Sequence, residues 1–242
     1  MTLRTTRPDN GAYPSQTISS DVDLAEAVAR LSINRMRRNG RVIYMDDFTT
    51  LAGWTQTLCT LVATFSGKEC YSPPTMCKMT PTIPLNVATL VKSLPVMLNN
   101  SNIGLEFEFF FTIDTLPNML DQVDIQIFSR RGGGKSRHGT LRLEFGPAIT
   151  FKIEDVAAHF VQFGAQITGN FQGWHNLKMI CDFDNGKYRS FAFDEFSYDL
   201  SAYNLVAGID GYETWIKITV TDTGAPAASL CIDDVIITTD EV

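Results

Sequence analysis

The 242-residue sequence has no run of 18 or more consecutive apolar residues, the length that a membrane-spanning helix needs. Its first 20 residues are polar and lack the apolar middle segment of a secretory signal peptide. Lys and Arg together number 20 against 27 Asp and Glu, which gives a net charge of −7. Because a dedicated nucleic-acid-binding protein has a basic surface, we expect no nucleic-acid partner. Because no membrane-spanning run occurs, we expect no membrane partner.

Charged residues are also scarce, at 19% of the chain against about 25% in typical globular proteins. This scarcity indicates either a β-rich fold or a surface that faces another protein. Hydrophobic residues make up 44% of the chain, which is enough to bury a core. The five cysteines are an odd number and cannot all pair within one chain. Without an export signal, we expect reduced thiols in a cytoplasm.

The motifs of common enzymes are missing as well. Residues 130–136 resemble a phosphate-binding loop, but Ser129 stands where the first glycine is required, and a strand-like segment follows instead of a helix. No Gly-x-Ser-x-Gly nucleophile motif occurs. Asp124 lacks the flanking glutamates that sandwich-type glucanases carry on the same strand. We therefore predict that the protein is not an enzyme.

The chain divides into a basic arm and an acidic body. Residues 1–41 contain seven Arg and four acidic residues, a charge of +3, so the remainder carries −10. Residues 1–20 have no periodicity and indicate an extended arm. In residues 20–31, Leu24, Val28 and Leu31 recur at helical spacing, which predicts one short amphipathic helix. A helix of three turns is marginal alone, so its apolar stripe must dock on something.

From residue 42 to residue 242 the pattern is that of a β-sandwich. Apolar and polar residues alternate in short segments, and Asn185-Gly186 between two of them is typical of a hairpin. The absence of interleaved helices predicts an all-β, antiparallel two-sheet sandwich of the jelly-roll, concanavalin-like type. Residues 66–102 hold five of the ten prolines and predict edge strands and loops. The predicted interior residues are Val42, Tyr44, Phe107, Phe109, Leu141, Leu143, Leu177, Met179 and Ile236.

Two acidic pairs suggest a structural calcium site, the one cofactor that the sequence indicates. Asp46-Asp47 lies in the first predicted strand and Asp233-Asp234 in the last, and these strands are commonly neighbours in a jelly roll. Carboxylates that meet there would repel one another unless a cation joined them, and Ca²⁺ prefers oxygen ligands. The alternative is that these strand-end aspartates accept hydrogen bonds from nearby backbone N–H groups.

Two further groups are candidate ligand contacts. A basic loop offers contacts to an anion or a glycan, although a solvated hairpin tip explains it equally; it comprises Arg130, Arg131, Lys135, Arg137 and His138. Each tryptophan could stack on a sugar ring, although core packing is the commoner role of this residue. The tryptophans are Trp54, Trp174 and Trp215.

The order of several motifs carries a family resemblance. Trp-His-Asn-Leu-Lys at 174–178 and the Asp-Phe-Asp-Asn-Gly-Lys-Tyr hairpin at 182–188 resemble a strand and turn of concanavalin- and laminin-G-like jelly rolls. Residues 42–48 and 231–237 resemble the first and last strands of such modules, which include carbohydrate-binding ones. The whole order is similar to an uncharacterised family found in bacteriophage and environmental bacterial sequences. That family implies the jelly-roll fold and supplies no activity to transfer.

These observations predict a non-enzymatic structural protein of a bacteriophage particle, as a decoration, fibre, tail or capsid-associated component. It would assemble in the host cytoplasm and reside in the virion. The alternative is a carbohydrate-binding, lectin-like module of a bacterial or phage protein. We expect the partners to be other copies of the chain or other virion proteins, with a glycan as a further partner. The predicted partner-binding residues are Leu24, Val28, Leu31, Arg35, Arg37 and Arg38.

Overall fold

The computed structural model describes ten segments of the chain, which are residues 41–65, 68–71, 74–81, 87–94, 104–113, 121–131, 135–168, 174–208, 214–222 and 228–239. The predicted arm and helix, with their partner-binding residues, lie outside these segments. No helix occurs within the described segments, and so none there is long and apolar enough to span a membrane.

The described regular structure consists of β-strands. In chain order these are β1 (Arg41–Asp46), β2 (Thr55–Thr57), β3 (Cys59–Val62), β4 (Thr64–Phe65), β5 (Lys68–Glu69), β6 (Met76–Met79), β7 (Val87–Leu94), β8 (Gly104–Ile113), β9 (Gln122–Arg131), β10 (Lys135–Glu144), β11 (Thr150–Glu154), β12 (Phe160–Gln162), β13 (His175–Asp182), β14 (Lys187–Phe193), β15 (Phe196–Asp199), β16 (Val206–Ala207), β17 (Thr214–Thr221) and β18 (Leu230–Thr239).

The strands form two large sheets. Sheet A has the order β15-β14-β13-β8-β18-β6-β3, with β1 also paired to β18. Sheet B has the order β12-β11-β10-β9-β17-β7-β2, with β16 also paired to β10, and β4 and β5 form a separate ribbon. Strand pairs in both sheets are antiparallel, for example β13 with β14 and β9 with β17. The fold is therefore the predicted antiparallel β-sandwich.

The hydrophobic core lies between the two sheets because apolar residues occupy alternate positions of their strands. On β17, the side chains of Ile216 and Ile218 are buried, and the intervening residues are half-buried. Phe151 of sheet B contacts Phe191 and Phe193 of sheet A, with ring centroids 4.9 and 5.2 Å apart. These contacts across the sandwich join both sheets into one core cluster.

Most of the described interior predictions are confirmed. The side chains that are fully or almost fully buried are those of Leu141, Leu143, Leu177, Met179 and Ile236. Val42 and Tyr44 are only half-buried, because β1 pairs with β18 alone. The side chains of Phe107 and Phe109 lie outside the description. Ile236 packs outside the main core, in a small cluster on the other face of sheet A with Val42, Met45, Tyr71 and Trp174.

Two strands of the proline-rich segment, β6 and β7, are not the edge strands that the sequence predicted, whereas β5 belongs to the two-stranded ribbon and is one. Strands β6 and β7 each lie one position in from a sheet edge, and β3 and β2 occupy the edges. The two described prolines, Pro74 and Pro81, fall just outside β6. Every residue of β6 therefore keeps a backbone N–H group for pairing with β3 and β18.

The predicted hairpin at Asn185-Gly186 joins β13 to β14. The connection is longer than a two-residue turn, because Asp182 pairs with Lys187 and residues 183–186 form the loop. Asp182 Oδ1 accepts hydrogen bonds from the backbone N–H groups of Asp184 and Asn185, each at 3.0 Å. Gly186 has φ of 66°, a left-handed conformation that favours glycine.

Candidate functional site

The outer face of sheet B carries a continuous row of polar side chains. Thr140 of β10 lies opposite Gln126 of β9, and Gln126 lies opposite Lys217 of β17. On the other side of Thr140, Glu154 of β11 receives a hydrogen bond from its hydroxyl group. We call Glu154, Thr140, Gln126 and Lys217 the outer row. Each member alternates with core residues along its strand, so all four point away from the core.

Hydrogen bonds fix one end of the outer row. The Thr140 hydroxyl donates to Glu154 Oε2 at 2.6 Å, and Gln126 Nε2 donates to the same hydroxyl oxygen at 3.1 Å. His138 Nε2 lies 3.2 Å from Glu154 Oε2. These contacts, that of His138 first, hold the pKa of Glu154 below its ordinary value, although burial acts in the opposite direction. The Glu154 carboxylate is therefore an ionised, positioned hydrogen-bond acceptor.

An aromatic pair lies beside the outer row. Trp215 of β17 is directly opposite Phe128 of β9, and the two rings stack with centroids 5.0 Å apart and an interplanar angle of 6°. Phe128 is in turn opposite His138 of β10. Phe128 is buried and Trp215 is half-buried, so the indole is the more accessible of the two rings. Trp215 and Phe128 form what we call the aromatic platform.

Paired charges border the outer row on its other side. The Arg142 guanidinium donates two hydrogen bonds to Asp124, of 2.7 and 2.8 Å, and its carbon lies 3.5 Å from the centre of the Phe160 ring. Lys152 Nζ lies 2.6 Å from Glu144 Oε2. Both carboxylates are thus neutralised by a neighbouring cation, and the surface around the row is held in one arrangement.

The basic loop is only partly placed by the structure. His138 borders the outer row, whereas Arg137 extends towards the β13–β14 turn of sheet A. A β-carbon added at Gly186 would lie 1.1 Å from Arg137 Nη1, so the guanidinium rests against this glycine. Arg131 and Lys135 are register partners at the end of the β9–β10 hairpin, and their side chains, like that of Arg130, lie outside the description. Anion or glycan binding by Arg130, Arg131, Lys135 and Arg137 stays a prediction.

Two aspartates of the calcium prediction, Asp46 and Asp233, accept hydrogen bonds from protein donors. Asp46 accepts hydrogen bonds from the Tyr44 hydroxyl, from Trp54 Nε1 at 2.8 Å and from the Phe48 backbone N–H at 2.8 Å. The backbone N–H of Asp234 donates to Asp233 Oδ1 at 3.0 Å.

Within the described segments, no group of three or more His, Cys, Asp or Glu residues is arranged to hold a metal ion. The calcium site at Asp46, Asp47, Asp233 and Asp234 stays a prediction, and thermal melting with and without a chelator tests it.

The three tryptophans have different environments. Trp54 is buried and hydrogen-bonded to Asp46. Trp174 lies against Tyr71, with ring centroids 6.0 Å apart, on the outer side of sheet A. Trp215 is the one that lies beside the outer row. Trp215 and His138 were predictable as candidate ligand contacts from the sequence. Gln126, Thr140, Glu154 and Lys217 were not, because their only signal is a polar residue at alternate strand positions.

A second histidine–carboxylate pair lies at the edge of sheet A. His175 Nδ1 is 2.7 Å from Asp194 Oδ2, and the other oxygen of Asp194 accepts the backbone N–H of Asn176 at 3.0 Å. Asp194 has φ of 50° in the tight turn between β14 and β15. The pair joins β13 to this turn, which is a structural role.

The chain is similar to known proteins in structure but not in sequence. No protein family profile matches the chain, and no curated protein is a significant sequence match. A carbohydrate esterase of the Shiga toxin-encoding bacteriophage phi24B is similar over 82% of this chain and 98% of its own, with a TM-score of 0.59 and 12% identity.

Two plant lectins are similar over the same shares, 82% and 98%, each with a TM-score of 0.51 and 10% identity. They are a Bauhinia forficata lectin in complex with GalNAc and a Lotus tetragonolobus seed lectin. The chain therefore has the jelly-roll fold of these lectins.

Proposed function

We propose that the protein is a non-catalytic carbohydrate-binding module and that the outer face of sheet B contacts the glycan. The observation that carries the proposal is the position of the aromatic platform beside the hydrogen-bonded outer row. The lectins with the same fold, one of them in complex with GalNAc, are compatible with this role.

The chemistry of the face suits a sugar. A pyranose ring has apolar C–H surfaces that pack on an aromatic ring, and the indole of Trp215 offers such a surface. Sugar hydroxyls both donate and accept hydrogen bonds. The ionised Glu154 carboxylate accepts them, while the Gln126 amide has both donor and acceptor atoms. Because the bonds among Glu154, Thr140 and Gln126 already exist, little side-chain entropy is lost when a ligand binds.

The state of the carboxylates favours binding over hydrolysis. Glycoside hydrolysis needs one carboxyl group that is protonated and one that is ionised, facing a common cleft. On the outer face of sheet B, Asp124 is paired with Arg142 and Glu144 with Lys152, and the pKa of Glu154 is lowered. None of these three described carboxylates is in the environment of a general acid.

Esterase chemistry has no better support on this face, although a protein of similar fold is a carbohydrate esterase. A serine nucleophile requires a histidine within hydrogen-bond reach. His138 hydrogen-bonds to Glu154, and within the described segments no serine hydroxyl hydrogen-bonds to its ring.

A glycan array followed by calorimetry with the strongest ligand tests the proposal. Trp215→Ala should abolish binding, because it removes the accessible ring of the platform. Phe196→Ala is the matched control, since Phe196 is an exposed aromatic residue on sheet A. Its affinity should equal that of the wild type. Failure of the wild type to bind any glycan, or wild-type affinity in Trp215→Ala, would overturn the proposal.

We further propose that the module belongs to a bacteriophage particle. The resemblance to a phage-associated family and the similar fold of a phage protein support this assignment. Mass spectrometry of purified particles tests it, and absence of the chain from particles of a phage that encodes it would contradict it. Attachment would use residues 1–41, and the double variant Leu24→Asp, Val28→Asp should then abolish incorporation.

A further inference from the structure

Lys217 is half-buried, and no residue of the described segments provides it with a counter-ion. It lies on β17 two residues after Trp215, on the same side of the strand, and opposite Gln126 of β9 and Val91 of β7. Its ammonium group forms no ion pair or hydrogen bond with any residue of the described segments. By contrast, Arg142 and Lys152 on the same face are each paired with a carboxylate.

The outer row therefore has opposite charges at its two ends. Glu154 and Lys217 are separated by the strands β9 and β10, so their backbones are about 14 Å apart at the usual strand spacing of about 4.8 Å. This distance weakens their mutual attraction, because it exceeds the screening length of about 8 Å at physiological ionic strength. The ammonium of Lys217 is thus available to an anion that arrives with a ligand.

We propose that the glycan bound by this face is acidic and that Lys217 binds its anionic group while Trp215 packs against the sugar ring. This inference rests on the proposed carbohydrate-binding function and adds the ligand class. The anionic group is a sugar carboxylate or a sulfate ester, because the lysine ammonium is a compact point charge that can donate hydrogen bonds to the planar carboxylate or to the tetrahedral sulfate. Glu154, at the far end of the row, accepts hydroxyl groups of the same oligosaccharide.

Matched ligand pairs separate charge from shape. The probes are trigalacturonate with its carboxyl-reduced form, sialyllactose with its methyl ester, and sulfated lactose with lactose. At low ionic strength the wild type should bind the acidic member of at least one pair about tenfold more tightly, as expected for one charge-assisted hydrogen bond. This preference should decrease as salt is added. The ligand pair in which this preference occurs shows whether the protein recognises a carboxylate or a sulfate.

Three variants assign the preference to Lys217. Lys217→Met keeps an apolar stem of similar length and removes the charged group, so the acidic member should bind only as well as its neutral partner. Any loss of affinity for the neutral member should be smaller than the loss for the acidic member, because the apolar stem is retained. Lys217→Arg should keep the preference. Lys152→Met, which removes a lysine already paired with Glu144, should also keep it.

The outcomes distinguish this inference from the function on which it rests. Equal affinities within every pair, or a preference that survives in Lys217→Met, overturn the assignment of an acidic ligand and leave carbohydrate binding intact. No binding of any probe or array glycan overturns both. A preference that disappears in Lys217→Met and persists in Lys152→Met supports the inference.

Discussion

The hydroxyl group of Tyr188, on sheet A, accepts a hydrogen bond of 2.8 Å from the backbone N–H of Thr140, on sheet B. It also lies 3.0 Å from the carbonyl oxygen of Glu154 and 3.2 Å from that of Thr140. Along this edge of β10, pairing with β11 ends at Leu141 and pairing with β16 begins at His138. Tyr188 therefore satisfies backbone groups in the gap between two partner strands.

Removing this hydroxyl should destabilise the fold. In Tyr188→Phe, the N–H of Thr140 and the carbonyl of Glu154 lose a partner in a fully buried site. We expect the free energy of unfolding to fall by about 1–3 kcal/mol, measured by urea denaturation. Tyr198→Phe is the control, because the described residues make no hydrogen bond to that hydroxyl. Equal losses in the two variants would contradict the assigned role of Tyr188.

Gly139 makes room for Tyr188, and an alanine there should not fit. A β-carbon at Gly139 would lie 2.7 Å from Cys181 Sγ and 2.9 Å from both Tyr188 Cε1 and Leu205 Cδ2. All three side chains are buried, so Gly139→Ala should cost about 1–3 kcal/mol through overpacking. At Gly146 the nearest such contact is 3.8 Å, and Gly146→Ala should change stability by less than about 1 kcal/mol. Thermal melting of the two variants compares them directly.

Asp46 should matter more to stability than its neighbour Asp47. Asp46 accepts bonds from Tyr44, Trp54 and the Phe48 backbone, whereas Asp47 accepts the Thr49 backbone N–H at 3.2 Å. Asp46→Ala leaves the Trp54 indole N–H without a partner and should cost about 1.5–3 kcal/mol. Asp47→Ala should cost less than half as much. Urea denaturation measures the free energy of unfolding of both variants. A larger loss of stability in Asp47→Ala than in Asp46→Ala would contradict the greater stabilising role assigned to the Asp46 hydrogen bonds.

The interactions of Glu154 should make stability depend on pH in the acid range. Its pKa in the folded protein is below the ordinary value of 4.5, so the unfolded chain takes up the proton first as pH falls. The stability that Glu154 contributes is therefore complete above about pH 5.5 and is lost as pH falls through the folded pKa. Between about pH 5 and pH 3 the wild type should lose more stability than Glu154→Gln. Glu195→Gln, at an exposed turn, should behave as the wild type does.

All five cysteines should be protected from reagents in the folded protein. Each is free and buried, and burial raises the pKa of the Cys181 thiol. The hydrogen bond from Cys77 lowers the pKa of the Cys59 thiol, but the burial of Cys59 still denies a reagent access. Ellman's reagent should detect no rapidly reacting thiol in the native state and five in denaturant. Ser197→Cys, at an exposed position of β15, should add one rapidly reacting thiol. A rapidly reacting thiol in the wild type would contradict the described burial.

Local features of this fold were predictable from the sequence, whereas its long-range pairings were not. Asn185-Gly186 indicated the β13–β14 hairpin because turn chemistry acts within a few residues. The alternation of apolar and polar residues along β10 indicated that Leu141 and Leu143 lie on the buried face of the strand.

The outer row depends on register between β9 and β17, which are distant in the sequence, so no local pattern reveals that Gln126 adjoins Lys217. The same limit applies to Tyr188, whose partners lie on the opposite sheet.

The position of β18 has a consequence for synthesis on the ribosome. This strand pairs with β8 along one edge, and with β6 and β1 along the other, although all three precede it in the chain. Sheet A therefore cannot close until residues 230–239 have left the exit tunnel. Until then the nascent chain has unpaired edges on β8, β6 and β1, which are templates for wrong pairing between chains. A chaperone bound during this interval should therefore raise the yield of folded protein.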